Sequence, residues 1–245
     1  MRAPWREAWQ EALYGAEGFF LSSAPASHFS TSVNSNPLFA EAILVLLRRE
    51  GLRDVVDVGA GAGELLSSLY ELDPSLNLHG VELASRPAGL DPSIGWASAI
   101  PDRFEGLLIA HEWLDNIPCD VVEVDDDGVI RIVEVEAETG EESLGQPYTS
   151  AWLDAWWPVD TPGQRAEVGD ARDAAWTDAV SRVHGVALAI DYVHTRERRP
   201  FHGSLRSYAG GREVDVIPDG KRDVAAHVAV DSATSGVDAT LVCQR

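Results

Sequence analysis

The chain has 245 residues and a formal net charge of −21 at pH 7, which arises from 40 acidic and 19 basic side chains. This charge argues against nucleic acid as a partner, because affinity for a phosphate backbone comes from Lys and Arg, whereas basic partners remain open. No apolar run approaches the length of a membrane span and residues 1–7 lack a signal-peptide core, so we expect a cytoplasmic protein without membrane insertion.

The length favours one domain, residues 1–245, that carries an insertion. Residues 1–53 predict N-terminal helices and a loop that leads into the site. An amphipathic helix over about residues 3–14 is predicted by four-residue spacing of its large apolar side chains, which starts at Trp5. Asn36 and Pro37 are typical of the first turn of a second helix.

Predicted strands then alternate with predicted helices. The pattern gives a first strand from Asp54, a helix over 63–72, and strands over 77–82, 94–97 and 106–110. This alternation predicts an α/β fold with a mostly parallel sheet and helices on both faces. Ligands of such sheets bind at the carboxyl ends of the strands, which places Gly59, Glu82, Trp96 and His111 around one crevice.

A glycine-rich turn follows the first of these strands. Alternating glycines let the backbone turn sharply and approach a ligand where a Cβ would collide. A dinucleotide would require the third glycine one place later, and its pyrophosphate would be repelled by Glu64, so the turn favours the cationic S-adenosylmethionine. Glu82, about 20 residues beyond the turn, is placed to accept the ribose hydroxyls. The turn residues expected to bind this cofactor are Asp57, Gly59, Gly61 and Gly63.

Two of these assignments have a structural alternative. The glycines also fit an ordinary strand-to-helix turn, although the spacing to Glu82 favours the cofactor. Trp96 either covers the face of the adenine or packs in the core.

The pattern changes in the middle of the chain. Residues 118–137 alternate on both sides of an Asp-Gly turn, which predicts a β-hairpin inserted into the α/β domain. The aromatic side chains of a short tryptophan-rich helix before Pro158 are typical of a protein core. A further helix is predicted over about 171–184. Residues 186–192 then predict a fully buried central strand.

The chain offers few residues for a disulfide or a metal. Cys119 and Cys243 lie in apolar, strand-like contexts that favour buried thiols over a disulfide or a metal pair. The seven histidines lack the spacing of metal ligands. We therefore expect no metal site.

Several motifs in the same order resemble the MidA-like class I methyltransferases, which include the mitochondrial arginine methyltransferase that assists assembly of respiratory complex I. The resemblance runs from about residue 15 to residue 231. It rests on the stretches Asp57–Gly63, His111–Pro118, Ala189–Tyr192, Gly203–Tyr208 and Arg222–Val228. It implies a Rossmann-like fold, S-adenosylmethionine as methyl donor, and a protein substrate such as a respiratory-complex subunit.

The chain departs from the family pattern at defined positions. His111 stands where the family has Asn, and Val193 stands where it has Gly. Ser27–Ser32 replaces the usual Gly-Asp-Phe-x-Thr loop. Relatives continue beyond Arg245 and complete the sheet there, so we expect either a shortened sheet edge or a missing C-terminal part.

The motif after the fourth strand supplies the candidate catalytic residues. Glu112 and Asp115 are three residues apart, which puts both carboxylates on one side if the turn is helical, and such a pair matches a guanidinium. A charge effect at a helix start is the alternative. His111 is a candidate general base or a structural histidine, and the resemblance gives His227 a role on the substrate side.

Asp191 and Tyr192 follow the last predicted strand of the sheet. They are candidates for the rim of the acceptor pocket, and capping of the strand end is the alternative for them. The sequence thus predicts a methyltransferase that acts on a protein side-chain nitrogen, with arginine preferred by resemblance. A small-molecule methyltransferase and a catalytically degenerate assembly or interaction protein remain alternatives.

Overall fold

Five parallel strands form the central sheet in a computed structural model that describes residues 2–22 and 38–240. Their order across the sheet is β10-β5-β2-β3-β4. The strands are β2 (Asp54–Val58), β3 (Asn77–Val81), β4 (Gly95–Ala97), β5 (Phe104–His111) and β10 (Val183–Ile190). This arrangement confirms the predicted α/β fold with a parallel sheet.

Helices cover both faces of this sheet. Alternate residues of β5 point to opposite faces, so that Leu107 and Ile109 pack with helices α3 and α4, whereas Leu108 and Ala110 pack with Trp176 of α6. The helices are α1 (Trp5–Tyr14), α2 (Phe19–Ser22), α3 (Leu38–Glu50), α4 (Glu64–Leu72), α5 (Ala151–Trp156), α6 (Asp170–Arg182) and α7 (Val230–Ala233). None of the helices in the described part of the chain has the length and hydrophobicity needed to cross a membrane.

The predicted hairpin is part of a larger antiparallel sheet. Its strands pair around a turn that closes with the N–H of Gly128 on the carbonyl of Asp125. Three further strands pair with the hairpin, so this sheet extends well beyond residue 137. The strands are β1 (Arg2–Pro4), β6 (Asp120–Val124), β7 (Ile130–Glu136), β8 (Glu142–Pro147) and β9 (Arg165–Val168).

The start of the chain differs from the predicted helix over 3–14. Residues Arg2–Pro4 pair with β7, and α1 begins only at Trp5. Pro4 explains the shift, because a proline disfavours the helical conformation of the residue before it. The second predicted helix is observed from Leu38, and its predicted first turn at Asn36 lies outside the described residues.

The strand predicted as fully buried and central lies at an edge of the parallel sheet. β10 covers 183–190 rather than 186–192, pairs with β5 alone among the described strands, and leaves Gly185 and Ala189 exposed. An apolar run fits a half-exposed edge as well as a buried centre, which is why the sequence misled here. Asp191 and Tyr192 lie just beyond its end.

Short strands near the C-terminus close the structure over the carboxyl ends of the main strands. β12 (Arg206–Ala209) pairs with β13 (Arg212–Val214) and β14 (Asp223–Ala225), and β11 (Val193–His194) pairs with β15 (Val228–Ala229). A 3-10 turn covers Arg196–Arg198. The N–H of Ala226 donates to the carbonyl of Asp115, which joins this region to the loop after β5.

Candidate active site

A cavity of about 520 Å³ lies at the carboxyl ends of β2, β3 and β5. The loops after these strands form one side, and α1, β12 and β14 contribute the other. Nine of the predicted site residues line it, and they are Asp57, Gly59, Gly61, Glu82, His111, Glu112, Asp115, Tyr192 and His227. The parallel sheet thus brings together residues that are up to 170 positions apart in the chain.

The glycine turn has the backbone that its sequence predicts. Gly59, Gly61 and Gly63 have φ values of 73°, 57° and 79°, which disfavour any residue with a Cβ. A Cβ on Gly63 would lie 2.8 Å from a methyl group of Leu90. Gly61 borders the cavity, so a side chain there would occupy the space of a ligand.

Glu82 is held in a fixed orientation at the end of β3. Its Oε2 accepts the N–H of Gly61 at 3.0 Å, and its Oε1 accepts the N–H of Leu83 at 2.7 Å. The carboxylate therefore ties the glycine turn to the next loop. Since it also lines the cavity, it is placed to receive hydroxyl groups of a ligand there.

The cavity wall beside the turn is acidic. Asp57 is buried, and burial together with the charges of Glu64 and Glu82 raises its pKa to about 8. Glu64 begins α4, and its Oε2 accepts the N–H of Ala62 at 3.1 Å. Glu64 and Glu82 disfavour a phosphate and fit a ligand that carries positive charge, and such a ligand would also favour the charged form of Asp57.

No group of three His, Cys, Asp or Glu side chains in residues 2–22 and 38–240 is arranged to hold a metal ion. Cys119 is a free, buried thiol, and Cys243 lies outside the described residues.

The loop after β5 is irregular rather than helical. Glu112 has a φ of 51°, which is rare for a residue with a side chain, and its N–H donates to the carbonyl of Ile190 at 2.8 Å. The helical turn on which the predicted pairing of Glu112 with Asp115 depended is therefore absent. Both carboxyl groups nevertheless line the cavity.

Burial controls the charge of these residues. Burial raises the pKa of the Glu112 carboxyl and lowers the pKa of His111, whose Nε2 lies 3.9 Å from Glu112 Oε1. His111 is therefore neutral at pH 7. Phe39 packs against its ring with a centroid distance of 5.2 Å.

Asp115 lies deeper in the cavity and is only 5% exposed. Its Oδ1 is fully buried and has no hydrogen-bond partner among the described residues. Burial, and then the nearby carboxyl groups of Asp191 and Asp223, raise its pKa well above the usual value. A buried carboxyl without a partner is costly, so this oxygen is suited to a donor from a ligand.

Asp223 is a cavity residue that sequence reasoning missed. Its Oδ1 accepts Asn116 Nδ2 at 3.0 Å, and burial raises its pKa to about 7. Tyr14 lies beside it and donates its hydroxyl to the carbonyl of Asn116 at 3.2 Å. Asp223 stands in one of the motifs that carry the family resemblance, and this was the available signal.

Tyr192 and His227 form a stacked pair at the cavity, with ring centroids 5.9 Å apart and an angle of 20°. Tyr192 is 57% exposed and so lies at the mouth. The N–H of His227 donates to Ser204 Oγ at 2.9 Å, and burial lowers the pKa of its ring.

The predicted site residues Trp96 and Asp191 do not line the cavity. Trp96 packs against Gly80 behind the glycine turn, donates Nε1 to the carbonyl of Ala84 at 3.1 Å, and does not line the cavity. Asp191 accepts the N–H groups of Leu114 and Asp115 at 3.0 and 3.3 Å, and it too is absent from the cavity wall. These contacts fit the alternatives of core packing and strand-end capping, and the roles in adenine and substrate binding stay predictions.

Comparisons with known proteins agree with this geometry. The profile of the family described as "Putative S-adenosyl-L-methionine-dependent methyltransferase" matches residues 38–241. A crystal structure of a COG1565 superfamily member from Burkholderia thailandensis bound to S-adenosyl-homocysteine superposes with a TM-score of 0.77 at 23% identity, covering 96% of this chain and 71% of that one. A native structure of a COG1565 superfamily protein from the same organism gives a TM-score of 0.73 at 23% identity, over 96% and 70%. No curated protein matches the chain.

Proposed function

This chain belongs to the family of S-adenosyl-L-methionine-dependent methyltransferases, and from that membership we propose that it methylates a side-chain nitrogen of a protein, with arginine as the acceptor. We assign it to the MidA-like branch on the motifs quoted above, and we place its reaction in the cytoplasm. A respiratory-complex subunit is the partner that this branch favours.

The residues at one end of the cavity fit the cofactor. Gly59, Gly61 and Glu82 would hold its adenosyl part, and Asp57 and Glu64 would face its cationic groups. When bound, S-adenosyl-L-methionine supplies a methyl group that its sulfonium has already activated. The task that remains for the protein is to hold an uncharged nucleophile in line with that methyl group and away from water.

The remaining residues suit a cationic acceptor. Full deprotonation of a guanidinium at neutral pH costs at least about 7 kcal/mol, so its proton must leave during or after the transfer. Carboxyl groups orient the guanidinium fork through charge-assisted hydrogen bonds. Burial lowers the pKa of the His111 ring and so keeps the imidazole neutral. A neutral imidazole beside Glu112 is able to accept the proton.

The single observation that carries the proposal is Asp115 Oδ1, which is buried in the cavity without a partner among the described residues. An oxygen of this kind gains most from a ligand that donates a hydrogen bond and brings a positive charge. An amino or guanidino group does both.

Labelling of the methylated proteins in a cell lysate tests the acceptor. The lysate is incubated with S-adenosylmethionine that carries a labelled methyl group and with either the wild type or Asp115→Asn, and the products are analysed by mass spectrometry. We expect labelled methylarginine with the wild type and at least about tenfold less with the variant, which keeps the shape but lacks the charge.

The binding of S-adenosylhomocysteine and the melting temperature provide the control, because both should remain close to those of the wild type. Label on lysine, on a carboxylate ester or only in small molecules would rule out arginine and leave the methyltransferase activity intact.

A further inference from the structure

We propose that Asp115 and Asp223 together form the receptor for the positively charged head group of the methyl acceptor. In this arrangement Asp223 takes the place that the sequence assigned to Glu112 as the partner of Asp115. The inference rests on the proposed function, because it takes the acceptor to be a basic side chain.

The backbone brings the two carboxyl groups to the same deep part of the cavity. Asn116, the residue after Asp115, donates its side-chain amide both to Asp223 Oδ1 at 3.0 Å and to the carbonyl of Val224 at 3.3 Å. The N–H of Ala226 donates to the carbonyl of Asp115 at 3.0 Å. These three hydrogen bonds join the loop after β5 to strand β14 and the residue that follows it.

The other nearby carboxyl groups are less suited to this role. Asp191 is occupied, since its two oxygens accept the backbone N–H groups of Leu114, Asp115 and Tyr192. The Glu112 side chain is 28% exposed, whereas Asp115 and Asp223 are 5% and 6% exposed as residues. Because a charge-assisted hydrogen bond gains strength away from water, the deep pair should dominate recognition.

Neither neighbouring arginine neutralises the pair. Arg172 directs its guanidinium at four backbone carbonyls, one of which belongs to Asp115. Arg206 lines the cavity, but it donates to the carbonyl of Leu205 and forms an ion pair with Glu213 at 3.2 Å. The two carboxyl groups thus lack a direct cationic partner in the described structure, and an incoming cation can fill that place.

Protonation of the free pair supports this reading. Burial raises the pKa of Asp223 to about 7, so this carboxyl is partly protonated near neutral pH, and burial raises the pKa of Asp115 in the same direction. A bound cation stabilises the charged forms and displaces that proton. The groups whose charge acts on one or both of these carboxyls are Arg172, Glu112 and Asp191. The tyrosines whose hydroxyl pKa is raised by one or both carboxyls are Tyr14, Tyr192 and Tyr208.

Isothermal titration calorimetry tests the receptor. The probe is N-acetyl-L-arginine amide, and it is titrated into protein saturated with S-adenosylhomocysteine. Asp115→Asn and Asp223→Asn should each weaken binding of the probe at least about tenfold, and Glu112→Gln should weaken it less than about threefold. Asp126→Asn, which removes an exposed acid from the hairpin turn, is the matched control and should bind the probe like the wild type.

A second measurement needs only the wild type. Titration at pH 6.5 in phosphate and in Bis-Tris, whose ionisation enthalpies differ, reports the protons released when the probe binds. We expect net release of protons. Binding without release would overturn the receptor even if the Asp223→Asn variant did not fold.

The outcomes separate the receptor from the proposed function. The receptor would be overturned if Asp223→Asn bound the probe as tightly as the wild type, or if Glu112→Gln lost as much affinity as the two Asp variants. Either result would leave arginine as the proposed acceptor. Weaker binding of S-adenosylhomocysteine by Asp223→Asn would assign this carboxyl to the cofactor instead. If neither the probe nor N-acetyl-L-lysine amide bound the wild type, the basic acceptor and the receptor would both be rejected.

Discussion

Gly61 and Glu82 contact each other through one hydrogen bond, and we propose that they contribute to cofactor binding in different ways. Gly61 supplies a backbone with a φ of 57° and leaves space beside the cavity, whereas Glu82 supplies a fixed carboxylate. We predict that Gly61→Val abolishes binding of S-adenosylmethionine, because a β-branched residue is strained at this φ and fills the ligand space. Glu82→Ala should weaken binding by about 1–3 kcal/mol through lost charge-assisted hydrogen bonds.

Calorimetry of the cofactor with both variants checks this prediction. Gly51→Val is the matched control, since Gly51 also has a positive φ, of 70°, but lies at the end of α3 with open space around it. Gly51→Val should lower the free energy of unfolding and leave cofactor affinity unchanged. Wild-type affinity in Gly61→Val and Glu82→Ala would overturn the cofactor site.

Asp57 makes the stability of the cofactor-free protein depend on pH. Its pKa is raised to about 8, mainly by burial and further by Glu64 and Glu82, whereas an unfolded Asp titrates near 3.9. The folded state therefore binds this proton more tightly. The stability linked to Asp57 is complete below about pH 4 and is lost as the pH rises towards 8.

We predict that Asp57→Asn reduces this loss, because an amide cannot ionise. The free energy of unfolding, measured with urea, should be compared between the variant and the wild type. From pH 5 to pH 9 this difference should shift in favour of the variant by on the order of a few kcal/mol. Asp126→Asn on the surface should follow the wild type at each pH. Parallel pH curves for Asp57→Asn and the wild type would contradict the assigned shift.

Among the elements, helix α6 connects two walls of the cavity through Arg172. This side chain is 1% exposed and donates to the carbonyls of Asp115, Ile117, Ala226 and His227 at 2.8–3.1 Å. Its guanidinium also lies over the ring of Trp9, 5.5 Å from the centroid. Arg172 thus holds the loop after β5 and the segment with His227 in one arrangement.

We predict that Arg172→Lys destabilises the protein by about 2–4 kcal/mol, because an ammonium cannot serve four carbonyls at once and leaves some of them buried without a donor. Methyl transfer should fall more than cofactor affinity does, since the displaced residues belong to the part of the cavity that we propose binds the acceptor. Chemical denaturation and calorimetry measure the two effects.

Arg182→Lys is the control on the same helix. Arg182 forms exposed ion pairs with Asp178 and Asp102, so its replacement should cost less than about 1 kcal/mol. If both variants lost the same free energy of unfolding, the buried hydrogen bonds of Arg172 would contribute no more to stability than the exposed ion pairs of Arg182.

Sequence reasoning worked where the signal was local. The glycine turn, the strand ends and the Asp-Gly hairpin turn all depend on neighbouring residues, and they are found within a few residues of their predicted positions. Pairings across the chain had no such signal. Strand β1 pairs with residues that are 130 or more positions away, and Asp223 meets Asn116 across 107 positions.

Side-chain roles were harder to predict than positions. Trp96 and Asp191 lie beside the site as expected, but one ring packs behind the turn and one carboxylate caps a loop. The irregular backbone at Glu112 also has no sequence signal, because its φ of 51° is imposed by tertiary contacts. The part of the cavity around Glu112 and Asp223 could therefore not be predicted from the sequence.

The net charge of the protein and the carboxyl groups of its cavity both favour positively charged ligands. The formal charge of −21 creates a field that favours cations, and Glu64 and Glu82 add carboxyl groups to the cavity wall beside the glycine turn. A dinucleotide brings a doubly negative pyrophosphate to this place. S-adenosylhomocysteine has no phosphate and keeps an ammonium group.

We predict that this difference decides which nucleotide stabilises the protein. S-adenosylhomocysteine at about 100 times its dissociation constant should add about 2.7 kcal/mol, or a rise of roughly 5–11 °C in Tm for a chain of this size. NAD at the same concentration should raise Tm by less than about 1 °C at 0.15 M salt, because its pyrophosphate meets the acidic wall. The shift with S-adenosylhomocysteine should also grow with the logarithm of concentration, while Glu82→Ala should displace that curve to higher concentrations. A shift with NAD that matched the one with S-adenosylhomocysteine would show that the acidic wall does not select the ligand.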